Sequence, residues 1–144
     1  MTSFSPLRKT AIVVIIIAGV AVNAGIMMHS YFQARNTLYS RVNSIRNAKQ
    51  ICLACKDYAG AHGGSYPLTL DALFPQYLTD RSVLVSPFKP GEPDGYIYTP
   101  PGPGKAGSAE TIVIEDKFAS TDATIGNIRI VAYANGDGRV LSNP

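Results

Sequence analysis

The chain has 144 residues, a length that suggests one ordinary domain at most, and much of its 46% hydrophobic content sits in a single block near the N-terminus, leaving only a small soluble core. Net charge is +3, and the Lys and Arg residues are scattered with no basic run interleaved with aromatics, so a nucleic-acid footprint is absent from the sequence. Two cysteines, eight tyrosines and no tryptophan fit an exported domain.

Residues 1–9 read as a short cytoplasmic leader, with Arg8 and Lys9 directly before an uncharged block and Pro6 suited to a helix start. TAIVVIIIAGVAVNAGIMM, Thr10 to Met28, carries no charge. At about 1.5 Å per residue it covers roughly 28 Å, close to a hydrocarbon core of about 30 Å. Two readings fit: a retained anchor over 10–29, or a signal peptide cut after Val22-Asn23-Ala24. Apolar residues continue past that cut as Ile26, Met27 and Met28, which favours the anchor. Arg8 and Lys9 place the N-terminus inside, whereas Arg35, Arg41, Arg46 and Lys49 beyond the span oppose that orientation. The export-type leader decides for an inside N-terminus. Asn23 reads as a tolerated amide near the outer interface, or as a polar helix–helix contact.

From Ser30 to Gly60 the pattern turns amphipathic without Pro or Gly, predicting a helix over 30–61. Leu38, Val42, Ile45, Cys52, Cys55 and Ala59 recur at helical spacing and form the expected buried stripe. Cys52-Leu-Ala-Cys55 is a C-x-x-C. It lies deep in a helix rather than at a helix N-terminus after a strand, where a thiol would be activated. Lys56 follows it, not His, so it does not match c-type haem attachment. No second cysteine pair completes a zinc site. Small packing residues or an incidental disulfide is the reading.

Residues 62–144 read as a small α+β region. Thr69–Leu73 suits a short helix burying Leu70, Leu73 and Leu78. SVLVSPFKPGEPDG is loop-like, dense in Pro and Gly. Strands are expected at 96–99, 111–115 and 128–133, then Asn135-Gly-Asp-Gly138 as a reversal into 139–141. PPGPGKAGSA, residues 100–109, is a surface loop. Helices precede strands, so the class is α+β: a long N-terminal helix, half membrane and half amphipathic, packed on a small antiparallel sheet.

DYAGAHGGSYPLTLDALFPQYLTDRSVLVSPF (57–88) and VAYANGDGRVL (131–141) resemble the corresponding runs of type IV pilin-like proteins and type II secretion pseudopilins. Nearly the whole chain takes part, through motifs individually weak. In the subgroup with a His ten residues before the turn Asp, this chain has Asn127. The resemblance implies a non-enzymatic structural protein in a bacterial inner membrane, single-pass, with its C-terminal domain periplasmic. It implies partners among other pilin-like subunits or secretion-system proteins through the N-terminal helix, together with membrane lipid. One departure matters. Prepilin processing needs Gly, a Phe-like residue, and Glu at the fifth mature position. After Gly19-Val20 and Gly25-Ile26 that position holds Ala24 and Ser30. A stand-alone anchored binding domain is therefore the alternative, with a C-x-x-C redox protein behind it.

No catalytic, cofactor-binding or metal-ligating set stands out. His29 at the membrane edge and His62 in a glycine hinge read as structural or solvated. Ser65 and Ser86 lack a nucleophile-elbow context. Glu115, Asp116, Asp122 and Asp137 could offer oxygens to Ca²⁺, which some pseudopilins bind in C-terminal loops, but N-G-D-G has too few ligands and reads as a plain turn.

Overall fold

A computed structural model describes residues 6–102, 106–119 and 128–142. The chain divides into two units, Met1–Asn36 and Thr37–Pro144. One helix, α1 (Pro6–Ala61), contributes to both. In the first unit every side chain from Thr10 to Asn36 is exposed. Two polar groups within this stretch are answered by the helix itself: Asn23 Nδ2 donates to the Gly19 carbonyl at 2.8 Å and Ser30 Oγ to the Ile26 carbonyl at 2.9 Å. Such back-bonding is how a helix carries polar side chains where water is scarce.

In the second unit α1 ends one residue beyond Gly60. Gly63 and Gly64 take positive φ, 63° and 89°, and the Gly64 amide reaches back to the Ala59 carbonyl at 2.7 Å. Only glycine adopts this conformation at no steric cost, so the pair stops the helix and turns the chain. The expected short helix is a single 3₁₀ turn at Leu70–Leu73, with Leu73 and Leu78 buried and Leu70 half-buried. A second 3₁₀ turn, Arg81–Leu84, lies at the start of the segment expected to be loop. Asp80 caps it, accepting from the Ser82 amide at 2.8 Å and the Ser82 hydroxyl at 2.6 Å, and Val83 and Leu84 fill the core. Sequence pattern missed it because Pro and Gly crowd the residues that follow.

The sheet is antiparallel, four strands in the order β1-β2-β3-β4: β1 (Tyr96–Tyr98), β2 (Ile112–Asp116), β3 (Ile128–Tyr133) and β4 (Gly138–Ser142). Strand ends differ from expectation by one residue at β1, β2 and β4, and β3 matches. A bulge between Ile112 and Ile114 breaks the alternation, and the consecutive Val113 and Ile114 are both buried. Gly136 (φ 95°) makes the N-G-D-G reversal possible. Ahead of β1, the Gly95 amide donates to the Leu84 carbonyl at 2.8 Å, pinning together the two ends of the Pro/Gly-rich segment between them. The α+β class and the helix-then-meander order are as expected.

The buried face of α1 matches the expected stripe at Cys52, Cys55 and Ala59 and departs from it before them. Leu38 and Val42 are 60% and 64% exposed, and Ile45 is only partly covered, packed near Ala119, Ile128 and Ile130. The residues fully covered are Ser44, Ala48, Ile51, Cys52 and Cys55, with Ala59 close behind. The larger Leu38, Val42 and Leu53 stay exposed, with Leu53 beside Gly136 of the β3–β4 turn. Both faces carry apolar residues, so periodicity alone does not choose between them.

Candidate functional site

Two features of the second unit hold polar or reactive groups away from water. The first is the thiol pair. Helical spacing puts Cys52 and Cys55 one turn apart on the face that meets the sheet, and both are free thiols at 0% exposure. Cys52 Sγ donates to the Tyr133 carbonyl at 3.0 Å, and Lys56 Nζ, one turn on, donates to the Asn135 carbonyl at 3.0 Å. Burial raises the Cys52 thiol, an effect the Lys56 charge offsets in part. Burial, with the neighbouring Cys52 adding to it, pushes Cys55 up to about 12. The thiolate is the nucleophile and the metal ligand, so burial holds both sulfurs in their inert form. Tyr98, whose hydroxyl donates to the Pro67 carbonyl at 2.7 Å, is likewise shifted upward, chiefly by burial. The site packs; it does not activate.

The second feature is a clasp around Asp116, 2% exposed at the end of β2. Its carboxylate accepts from the Ser44 hydroxyl on α1, from the Ser86 hydroxyl at 2.8 and 2.9 Å, and from the Phe118 amide at 2.8 Å. The Tyr96 hydroxyl reaches Ser44 Oγ at 3.4 Å, and burial raises its pKa. A buried carboxylate is tolerable only when donors saturate it, and here α1, the loop at Ser86 and the bend after β2 each supply one. Ser86, with no role apparent in sequence, is a hub of this clasp. Ser44 and Asp116 were equally invisible as partners, because they are 72 residues apart and share no local motif. Gly95 abuts the same place: a Cβ there would sit 2.2 Å from the Ser86 nitrogen.

The remaining candidates do not converge. His29 and Ser65 are exposed. His62 stacks on Tyr58 with ring centroids 3.8 Å apart, and its Nδ1 meets the Tyr58 carbonyl at 2.7 Å, closing the end of α1. Of the suggested cation ligands, Glu115 forms a paired bond with Arg129, both contacts 2.6 Å, and Asp137 pairs with Arg139 at 3.1 Å. Asp116 faces its serines, while Asp122 lies outside the described residues, as does Asn127. Among the described residues no group of three His, Cys, Asp or Glu side chains is placed to hold a metal ion. N-G-D-G is a turn, closed by the Gly136 amide on the Tyr133 carbonyl at 2.8 Å and by the Asp137 amide on Asn135 Oδ1 at 2.8 Å.

What α1 leaves uncovered is large and apolar. From Ile12 through Met28 the large exposed side chains are Ile, Val and Met, and the helix is long and apolar enough there to cross a membrane. Comparison of the chain with protein-family models, with curated protein sequences and with solved structures found no match in any of the three.

Proposed function

We propose that this chain is a non-enzymatic, membrane-anchored structural protein of the pilin-like or pseudopilin-like kind, working within a type II secretion or type IV pilus-like assembly. Its domain stands on the periplasmic side of a bacterial inner membrane. The observation that carries the reading is α1 itself: one helix whose stretch Thr10–Met28 is uncharged and exposed, and whose last part belongs to a unit built on a four-stranded antiparallel meander. Exposed Ile and Val side chains in that number need an apolar environment, supplied by lipid or by like helices. The inert thiols and the committed carboxylates add support to the non-enzymatic part. Partners are other pilin-like subunits or secretion-system proteins, met through the N-terminal helix.

The second reading, a stand-alone anchored binding domain, is favoured by one observation: Ala24 and Ser30 stand where a processing Glu is needed. Cysteine pairs placed along Ile12 to Met28, in a chain lacking Cys52 and Cys55, distinguish the two in native membranes. An assembling protein crosslinks between chains at helical periodicity. Crosslinking to no protein at any position, with the domain folded, replaces assembly with the solitary module.

A further inference from the structure

We propose that the turn of α1 following the apolar span is an interfacial girdle, in which Tyr31, Phe32 and Arg35 bind the phospholipid headgroup layer and fix how deeply the helix sits. This rests on the membrane reading above and adds to it a site and a ligand class.

Depth along the helix follows from its rise. With Gly19 at the middle of Thr10–Met28, a rise of about 1.5 Å per residue puts Tyr31 and Phe32 roughly 18 and 20 Å from the bilayer centre. The hydrocarbon ends about 15 Å out and the headgroups about 20–22 Å out, so both rings fall in the interfacial layer. That layer is where aromatic side chains accumulate, because a flat, weakly polar ring suits a zone neither wet nor dry. Both rings are open to their surroundings, 58% and 55% exposed, and they meet edge-on with centroids 6.2 Å apart. Adjacent positions on a helix point about 100° apart, so the two together cover a broad arc of its circumference.

Arg35 starts roughly 24 Å out, beyond the headgroups, and its side chain returns toward them. Its Cζ lies 5.8 Å from the Tyr31 ring centroid, one turn nearer the span. Helical side chains lean toward the N-terminus, which here aims the guanidinium back at the phosphate level, where it can pair bidentately with a phosphate. Ser30, between the span and the girdle, has its hydroxyl bonded to the Ile26 carbonyl, so it does not draw the helix outward into water. No Asp or Glu occurs before Asp57, and nothing acidic competes with phosphate for Arg35 on this part of the chain.

The chain contains no tryptophan, so a single one introduced into the full-length protein in phospholipid vesicles reports its own depth. Ile26→Trp, Phe32→Trp and Asn36→Trp are compared after an alkaline wash, using lipids brominated near the headgroup or deep in the chain, and aqueous iodide. The expected result is strongest quenching by deep bromines at 26, by shallow bromines at 32 and by iodide at 36, each preferred by about twofold or more, as their calculated depths require. Adding Tyr31→Leu, Phe32→Leu and Arg35→Leu to Asn36→Trp removes the girdle and lengthens the apolar run. Residue 36 then moves inward, with shallow-bromine quenching rising and iodide quenching falling. A washed, vesicle-bound protein whose residue 32 is open to iodide overturns the girdle and leaves the anchor standing. Shielding of residue 32 from both quenchers assigns that turn to a protein contact and also overturns it. An unmoved residue 36 in the triple-leucine background removes the depth-setting role. Loss of the protein from vesicles in the wash overturns anchor and girdle together.

Discussion

Thr10–Met28 and Ser44–Ala59 belong to one helix and follow opposite rules of side-chain size. In the first, bulky Ile, Val and Met residues face outward in every direction. In the second, the covered residues are Ser44, Ala48, Cys52, Ala54, Cys55 and Ala59 with one large one, Ile51, while the bulky Leu53 stays 47% exposed. The difference teaches that apolar size marks burial only when the covering medium can yield. Lipid chains and solvent accommodate any shape, whereas a folded sheet has a fixed surface and takes side chains that fit its distance.

The comparison breaks most sharply at Ile51. Ile51→Asp places an unpaired carboxylate at a position of 0% exposure, and the cost of several kcal/mol against a total stability of about 5–15 should unfold the second unit. Tyrosine near-UV circular dichroism of the detergent-solubilised protein checks this, and a native spectrum would contradict the burial of that face. Gly95→Ala comes next. Its Cβ would meet the Ser86 backbone nitrogen at 2.2 Å and the Leu84 carbonyl oxygen at 2.9 Å, neither of which can swing aside as a side-chain tip can. Overpacking of this kind costs about 1–3 kcal/mol or more, seen as a lower denaturant midpoint. Ser86→Ala takes one donor from a buried carboxylate and should cost about 1–3 kcal/mol, with Ser86→Thr tested alongside as the variant that keeps the hydroxyl.

The thiols sharpen the comparison through pH. An acid whose pKa is raised by folding adds stability that is complete below its unfolded value and lost as pH rises toward the folded one. For Cys55 that window runs from 9.0 to about 12, and Cys52 contributes in the same direction. Thermal stability should therefore fall as the solution passes pH 9. In Cys52→Ala/Cys55→Ala the decline should begin nearer 10, the ordinary value of Tyr66, Tyr96 and Tyr98, whose pKa values are also raised. Identical onset in both proteins would mean that the sulfurs are hydrated. The smallest effect is expected at Val42→Asp, where 64% exposure limits the change to about 0.5 kcal/mol. Unfolding there would restore the face expected from sequence.

How much of this could be read in advance depended on distance along the chain. The Gly-rich stop after residue 60 and the N-G-D-G turn are local signals, and each lies where the sequence places it to within a residue or so. On the helix face, Cys52, Cys55 and Ala59 are legible from their spacing, whereas Leu38 and Val42 look more buriable than Ser44 and Ala48, and nothing local says which residues the sheet covers. The Arg81–Leu84 turn had a local signal after all, Asp80 two residues ahead of Ser82, obscured by the prolines beyond it. The Asp116 clasp had none. Its partners Ser44 and Ser86 are common surface residues, and only the fold shows that they meet.

The Leu84–Gly95 hydrogen bond has a consequence for how this protein can vary. Because the segment's two ends are joined at 2.8 Å, the excursion between them is a closed loop, and residues 89–94 at its outer part are exposed. Lengthening such a loop changes only its closure entropy, about 0.6 kcal/mol for each doubling. Added sequence at Pro90–Asp94 is therefore nearly free of thermodynamic penalty, provided Leu84, Ser86 and Gly95 are kept. An epitope or a reporter domain inserted there leaves helix, sheet and clasp in register, and divergent versions of this chain can differ most at that point without refolding anything else.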